Sequence, residues 1–137
     1  MITRSMIARE TPDGIEAITC HLDGYPDHHL PILMGRYATE PAVARLLAIG
    51  DLSVLGPKLG RKHAFDRHTR NPKAKNWCLA YGRDGEAKNA FKRTYGSEAE
   101  FLGDAAQRWT DYLYLFRAER WLYRNVRRDE GWREANA

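Results

Sequence analysis

The sequence predicts an α+β domain in which about three helices pack on one face of a mainly antiparallel sheet of about five strands. Two hairpin patterns, one near each end of the chain, supply four of these strands. Segments with helical spacing and one short apolar strand lie between the two hairpins. This order favours strands that pair with close neighbours in sequence and disfavours a parallel, doubly wound sheet.

The first hairpin is predicted for residues 5–10 and 15–22, which flank the turn Thr11-Pro12-Asp13-Gly14. Asp-Gly between two β-prone segments is a strong short-range hairpin signal, because glycine tolerates positive φ. Side chains alternate along a strand, so residues 18, 20 and 22 share one face, which is predicted to be the core face.

Two helices are predicted after a turn at residues 23–27. The first covers residues 30–37, where apolar residues recur at helical spacing. The second begins after Thr39, a good N-cap, and ends before Gly50. Its apolar stripe consists of Val43, Leu46, Leu47 and Ile49.

Residues 51–76 are predicted to form a long basic loop, since they contain two glycines, two prolines and many cations without a clear period. A short buried strand at 77–81 and a turn at 82–86 are predicted to follow, with a polar loop through Gly96.

The last elements are a helix at 98–108, which starts after the capping residue Ser97, and an aromatic hairpin at 111–116 and 120–126. The tail at 127–137 is predicted to be frayed or weakly helical.

Length and composition indicate one domain spanning residues 1–137, with 43% hydrophobic and 29% charged residues. Disordered and collagen-like classes are excluded on this composition. The sequence has neither a long apolar run nor a secretory leader pattern, so we expect a soluble cytoplasmic protein without a membrane partner. Cys20 and Cys78 are predicted to be free buried thiols, and the net charge of +4 favours acidic partners.

A histidine-rich turn is the first candidate site, with His21, Asp23, Tyr25 and His28 close in sequence. Imidazoles and carboxylates at this density suit acid–base chemistry or a metal. The spacing matches no closed zinc template, so a structural turn is the favoured interpretation and neither a metal nor a cofactor is expected.

Basic residues form the second candidate site, a surface for an anion or a nucleic acid. Arg83 lies in a glycine-containing turn, where backbone amides can also bind an anion. Two alternatives stay open, a solvated charged loop and a turn held by an ion pair from Arg83 to Asp84 or Glu86. The candidate residues are Arg61, Lys62, His63, Arg67, His68, Arg70 and Arg83.

The aromatic hairpin is the third candidate, either as core or as a surface for a protein partner. Core packing explains most of its rings. The residues considered for the partner surface are Tyr112, Tyr114, Trp121 and Tyr123.

Several segments together resemble a family of small uncharacterised proteins carried by bacteriophages and prophages. They include CHLDGYP at 20–26, LLAIGDLSVLG at 46–56, AYGRDGE at 80–86 and the hairpin YLYLF at 112–116. Leu22 stands where the family pattern has an aromatic residue, and an arginine of the pattern is absent between Asp84 and Gly85.

The resemblance implies a phage or mobile-element accessory protein in the cytoplasm of a bacterial host, where such proteins often counteract host defence. The first functional hypothesis is therefore a stoichiometric, non-enzymatic inhibitor of a defence system such as CRISPR-Cas, with a defence protein or ribonucleoprotein as partner. The second is a protein that sequesters a nucleotide, another phosphate ligand or a nucleic acid. The third is a small enzyme that uses His21, Asp23 and His28, with or without a metal.

Overall fold

A computed structural model describes residues 2–66, 72–128 and 130–135 of the chain. Within them lie three helices and one sheet of eight strands, so the α+β class is confirmed. The helices are α1 (Pro26–Arg36), α2 (Glu40–Ala48) and α3 (Glu98–Gln107). The strands are β1 (Ser5–Thr11), β2 (Gly14–Cys20), β3 (Leu52–Val54), β4 (Leu79–Ala80), β5 (Arg93–Tyr95), β6 (Tyr112–Arg117), β7 (Arg120–Asn125) and β8 (Arg133–Glu134).

The sheet is mixed and has eight strands, whereas a mainly antiparallel sheet of about five strands was predicted. The strand order is β4-β3-β2-β1-β6-β7-β8, and β5 also pairs with β2. β1 runs parallel to β6, and β2 runs parallel to β3. The helices between the two hairpins act as crossovers, which allow the second hairpin to add beside β1 in the same direction.

Helices cover both faces of the sheet, whereas all of them were predicted to pack on one face. Ile7 and Ile18 face a core built with α1 and α2, while Met6 and Ala17 face a second core built around Phe101 of α3. Since successive side chains of a strand point to opposite faces, the central strands are buried on both sides. The sequence signal of such strands is a continuous apolar run.

The local signals of hairpins and helix caps are confirmed. β1 and β2 pair in register from Ser5–Cys20 to the Thr11–Gly14 turn, and β6 pairs with β7 along its whole length. The Thr39 side chain accepts a hydrogen bond from the Ala42 amide, and the Ser97 side chain accepts one from Glu100. In the described part of the chain, no helix has the length and apolar character needed to cross a membrane.

The region predicted as a long loop begins inside the core. Leu52 and Ser53 in β3 are completely buried, and Leu55 is almost so. Residues 58 and 77 form an isolated bridge, and a short 3-10 helix spans Pro72–Ala74. In the predicted frayed tail, the described residues include β8, which pairs with β7, while residues 129, 136 and 137 lie outside the described part.

Candidate functional site

The candidate site is a cleft of about 440 Å³ at one end of the sheet. The starts of the parallel strands β1 and β6 meet the end of β2 there, and the chain before β3 and β5 closes the other side. This volume falls in the range of small-ligand sites. The polar lining residues are Arg4, Ser5, Thr19, His21, Asp51, Tyr81, Asn89, Arg93, Arg108 and Thr110.

The cleft exists because two short strands share one edge of β2. β5 pairs with β2 at residues 15–17, and β3 pairs with β2 only at Cys20. The amide of Thr19 lies between these two ladders, and it donates to Asp51 Oδ1 at 2.8 Å. A carboxylate therefore completes the hydrogen bonding of β2 where no strand does so.

Asp51 also holds Arg93 in the cleft. Arg93 Nη1 and Nη2 donate to Asp51 Oδ1 and Oδ2 at 2.7 and 2.8 Å, a bidentate pair. These hydrogen bonds raise the pKa of the Arg93 guanidinium. The Asp51 side chain is 9% exposed and the Arg93 side chain 24% exposed, so this pair is a rigid part of the cleft wall.

Arg4 is one of the charged residues that line the cleft. Its backbone is fixed by the Arg4 amide, which donates to Asp111 Oδ2 at 3.0 Å, and by the Asp111 amide, which donates to Arg4 O at 2.9 Å. Among the described residues, no hydrogen bond or ion pair engages its guanidinium. The base of the Arg4 side chain is held in place while its charged end stays available.

Arg108 adds a second available guanidinium. Its Nε donates to Asp104 Oδ2 at 2.8 Å, which orients the side chain along the end of α3. Within the part of the chain that the structure describes, nothing engages its two Nη atoms. The cleft therefore contains three arginines and one aspartate, and its net charge is positive. Such a site attracts and orients anions.

Two exposed aromatic residues are sequence neighbours of residues that line the cleft. Trp109 follows Arg108 and is 77% exposed, and Phe91 follows the lining residue Ala90 and is 74% exposed. They have the highest exposures of the large hydrophobic side chains in the described residues. Large exposed rings beside a charged cleft are typical of binding surfaces.

The predicted histidine-rich turn does not form one site. His21 lines the cleft, whereas Asp23 is exposed in a left-handed backbone conformation and Tyr25 is the N-cap residue of α1. His28 lies on α1, where its ring contacts those of Tyr25 and His29. The described residues contain no group of three or more histidine, cysteine, aspartate and glutamate side chains placed to hold a metal ion.

A serine–histidine pair links α1 to β1. His29 Nε2 lies 3.0 Å from Ser5 Oγ, and His29 Nδ1 lies 3.1 Å from His28 Nδ1. The imidazole of His29 is completely buried, and this burial lowers its pKa to about 3. A base with such a pKa takes up a proton poorly near neutral pH, and Ser5 is only 2% exposed. The pair is therefore a structural hydrogen bond.

The Arg83 side chain forms hydrogen bonds with three residues of the fold itself. Its guanidinium donates to the carboxylate of Asp84 and to the backbone oxygens of Leu59 (2.7 Å) and Cys78 (2.8 Å). The carboxylate of Asp84 also accepts from the amides of His63 and Ala80. The ion pair between Arg83 and Asp84, one of the two alternatives for this turn, is thus present.

Within the predicted basic loop, residues 61–66 (here called the basic segment) lie next to Arg83, since the His63 amide donates to the Asp84 carboxylate. His63 packs edge-on against Trp77, and the Arg61 guanidinium lies 6.0 Å from the centroid of the same ring. Arg61 and Lys62 are exposed. The candidate residues Arg67, His68 and Arg70 lie outside the described residues.

The aromatic partner surface is corrected by the packing of the second hairpin. Tyr114 is completely buried and Trp121 is 4% exposed, so neither can contact a partner. Tyr114 donates to Gly24 O at 2.6 Å, and Trp121 Nε1 donates to Tyr37 O at 2.8 Å. Tyr112 and Tyr123 are partly buried beside the first core.

Both thiols are buried and free, as predicted. Burial raises the pKa of Cys20 to about 12 and also raises the pKa of Cys78. The reactive thiolate is therefore strongly disfavoured at both positions.

The sequence did not predict a site formed by Arg4, Arg93 and Arg108, because these residues are far apart in the chain. One local signal was readable near the cleft: the link between α3 and β6 contains the bulky Trp109 and no glycine.

Comparison of the chain with protein-family models, curated proteins and solved structures finds no match.

Proposed function

We propose that this chain is a binding protein that takes a phosphate-bearing ligand into the cleft. The observation that carries the proposal is that two of the arginines lining the cleft, Arg4 and Arg108, have guanidinium donors without partners among the described residues. Guanidinium groups match the geometry of phosphate oxygens and stay charged at every physiological pH.

The Arg93–Asp51 pair supports this proposal through preorganisation. Asp51 fixes Arg93, so this part of the cleft wall does not have to rearrange when a ligand binds. His21, Asn89 and Thr110 supply further polar groups around the cleft. This assignment keeps the sequestration hypothesis and moves its centre from Arg83 to Arg4, Arg93 and Arg108.

The test is calorimetric titration with inorganic pyrophosphate and with ATP. We expect saturable binding by the wild type and a loss of affinity of about tenfold or more in Arg4→Ala and in Arg108→Ala, because each removes a charged hydrogen-bond donor. Arg45→Ala is the matched control, since Arg45 is an exposed arginine on α2 outside the cleft. Absence of binding, or equal affinity in all variants, would overturn the proposal.

A second candidate is the stoichiometric inhibitor of a host defence system that the family resemblance implies. Trp109 and Phe91 favour it, because exposed tryptophan and arginine side chains are common anchors of protein interfaces. The test adds the purified protein to a reconstituted defence nuclease. The inhibitor function requires that nuclease activity falls to zero near one equivalent, and that Trp109→Ala abolishes this titration.

A further inference from the structure

Trp109 occupies a backbone position that normally belongs to glycine. The Trp109 amide donates to Ala106 O and the Thr110 amide donates to Ala105 O, the paired bonds of a Schellman helix end. In this motif the first residue after the C-cap adopts positive φ, and this residue is Trp109, with φ 59°. For a bulky L-residue this conformation is unfavourable.

α2 also ends at a residue with positive φ, and there it is the expected glycine. Gly50 follows the C-cap of α2 with φ 81°, and its amide donates to Leu47 O. One chain thus uses glycine at one helix end and tryptophan at the other. Trp109 is 77% exposed, so most of its ring is not packed against the fold. Strained and exposed bulky residues are typical of functional positions.

Further aromatic and basic residues lie near the cleft and in the basic segment. Phe91 directly precedes Lys92 and Arg93, which form ion pairs with Glu16 and Asp51, respectively. On the other side, Tyr81 lines the cleft and contacts the ring of Phe65 at 5.3 Å between centroids. Phe65 is 38% exposed and belongs to the same short segment as the exposed Arg61 and Lys62.

We infer that the ligand of the cleft is a single-stranded nucleic acid, with phosphates on Arg4 and Arg108 and an unpaired base stacked on Trp109. The inference rests on the proposed phosphate-binding function and narrows its ligand class. A basic groove with stacking rings is the common design of single-strand binding. A duplex keeps its bases stacked on one another, so it has no base to offer Trp109.

The extent of the surface favours a strand over a mononucleotide. One nucleotide fills the cleft at Arg4 and Arg108 but leaves Phe65 and residues 61–62 unused. A strand of several nucleotides reaches from Trp109 across the cleft to these residues, and each additional phosphate contact strengthens binding at low salt.

The test measures the fluorescence anisotropy of labelled oligothymidine of fifteen nucleotides and of an abasic strand of the same length. We expect the wild type to bind oligothymidine more tightly than the abasic strand, a duplex or ATP. Trp109→Ala is expected to weaken oligothymidine binding by about fivefold or more and to leave abasic-strand binding unchanged, because only the stacking contact is lost. Tyr25→Ala is the control, since Tyr25 is an exposed ring outside the cleft.

Salt dependence tests the phosphate contacts separately. For single strands the slope of log K against log salt is about −0.7 per neutralised phosphate, so Arg4→Ala is expected to reduce the slope by about 0.7. Binding of pyrophosphate without tighter binding of oligothymidine would overturn this inference and leave the proposed function intact. Equal binding by Trp109→Ala, or equal affinity for the duplex, would also overturn it. Absence of binding to every probe would remove both proposals.

Discussion

Replacing Trp109 separates what the ring does for folding from what it does for binding. Two variants are needed, Trp109→Gly and Trp109→Ala. Both remove the ring, but only glycine also relieves the left-handed backbone at φ 59°. The difference in stability between them therefore measures the backbone strain, reduced by the greater freedom of glycine in the unfolded chain.

The magnitudes follow from the geometry. The left-handed conformation costs an L-residue about 1–2 kcal/mol. The greater freedom of glycine in the unfolded chain offsets about 0.4–1 kcal/mol of that gain. We therefore expect Trp109→Gly to exceed Trp109→Ala by about 1 kcal/mol in free energy of unfolding.

The wild type is expected to have no large advantage over the glycine variant. Since Trp109 is 77% exposed, its ring buries on the order of 50 Å², which stabilises the fold by about 1 kcal/mol. This roughly cancels the relieved strain, so Trp109→Gly should match the wild type in stability within about 1 kcal/mol while losing affinity for the ligand.

The assay is urea unfolding followed by circular dichroism, with the m-value compared among the three proteins. Equal stability of the glycine and alanine variants would refute the assignment of strain to this position. A wild type more stable than the glycine variant by well over 2 kcal/mol would show that the ring is a packing element, which removes the reason to assign it to binding.

Three further outcomes test the fold and its charges. His29 has a pKa of about 3 in the folded state against 6.5 in the unfolded state. The contribution of neutral His29 to the free energy of unfolding is therefore fully present above pH 6.5 and is lost as the pH decreases below it. The wild type should lose about 2 kcal/mol between pH 6.5 and pH 5 relative to His29→Gln, measured by urea unfolding at each pH; parallel pH profiles would contradict this. Asp51→Asn should lower the free energy of unfolding by about 2 kcal/mol, because it leaves Arg93 without its charge partner, and an unchanged thermal midpoint would contradict that role. Leu46→Ala and Phe101→Ala should each cost about 3 kcal/mol in chemical denaturation, since they empty cores on opposite faces of the sheet. A small loss for Phe101→Ala would mean that α3 does not cover a core.

Elements that depend on neighbouring residues were predictable from the sequence. The Asp13-Gly14 turn and the Thr39 and Ser97 caps satisfy backbone groups only a few residues away, so their signals are local. The beginning of α1 was placed too late, because Pro26 starts the helix and His28 and His29 belong to it.

Long-range pairing could not be deduced in this way. β5 and β8 contain three and two residues, respectively, too few for a periodic signal. The parallel pairing of β1 with β6 joins residues more than a hundred positions apart, such as Ser5 and Tyr112. The coverage of both sheet faces had a readable signal, because the apolar run 113–116 does not alternate with polar residues as a one-sided strand does.

The candidate site was the least predictable part. A glycine-containing turn after a predicted strand indicated Arg83 as an anion-binding residue, but in the fold Arg83 binds Asp84 and two backbone oxygens. The cleft instead unites isolated arginines from three regions of the chain, each unremarkable in sequence. Only the meeting of β1, β2 and β6 at one end of the sheet brings Arg4 and Arg108 together.

The most direct test of the phosphate-binding cleft is a titration of ¹⁵N-labelled protein with pyrophosphate, followed by amide chemical shifts in two-dimensional NMR. We predict saturable shifts at Arg4, at residues 89–93 and at residues 108–110, and their loss in Arg4→Ala. An unchanged spectrum, or shifts confined to residues 61–66, would contradict the assignment of anion binding to this cleft.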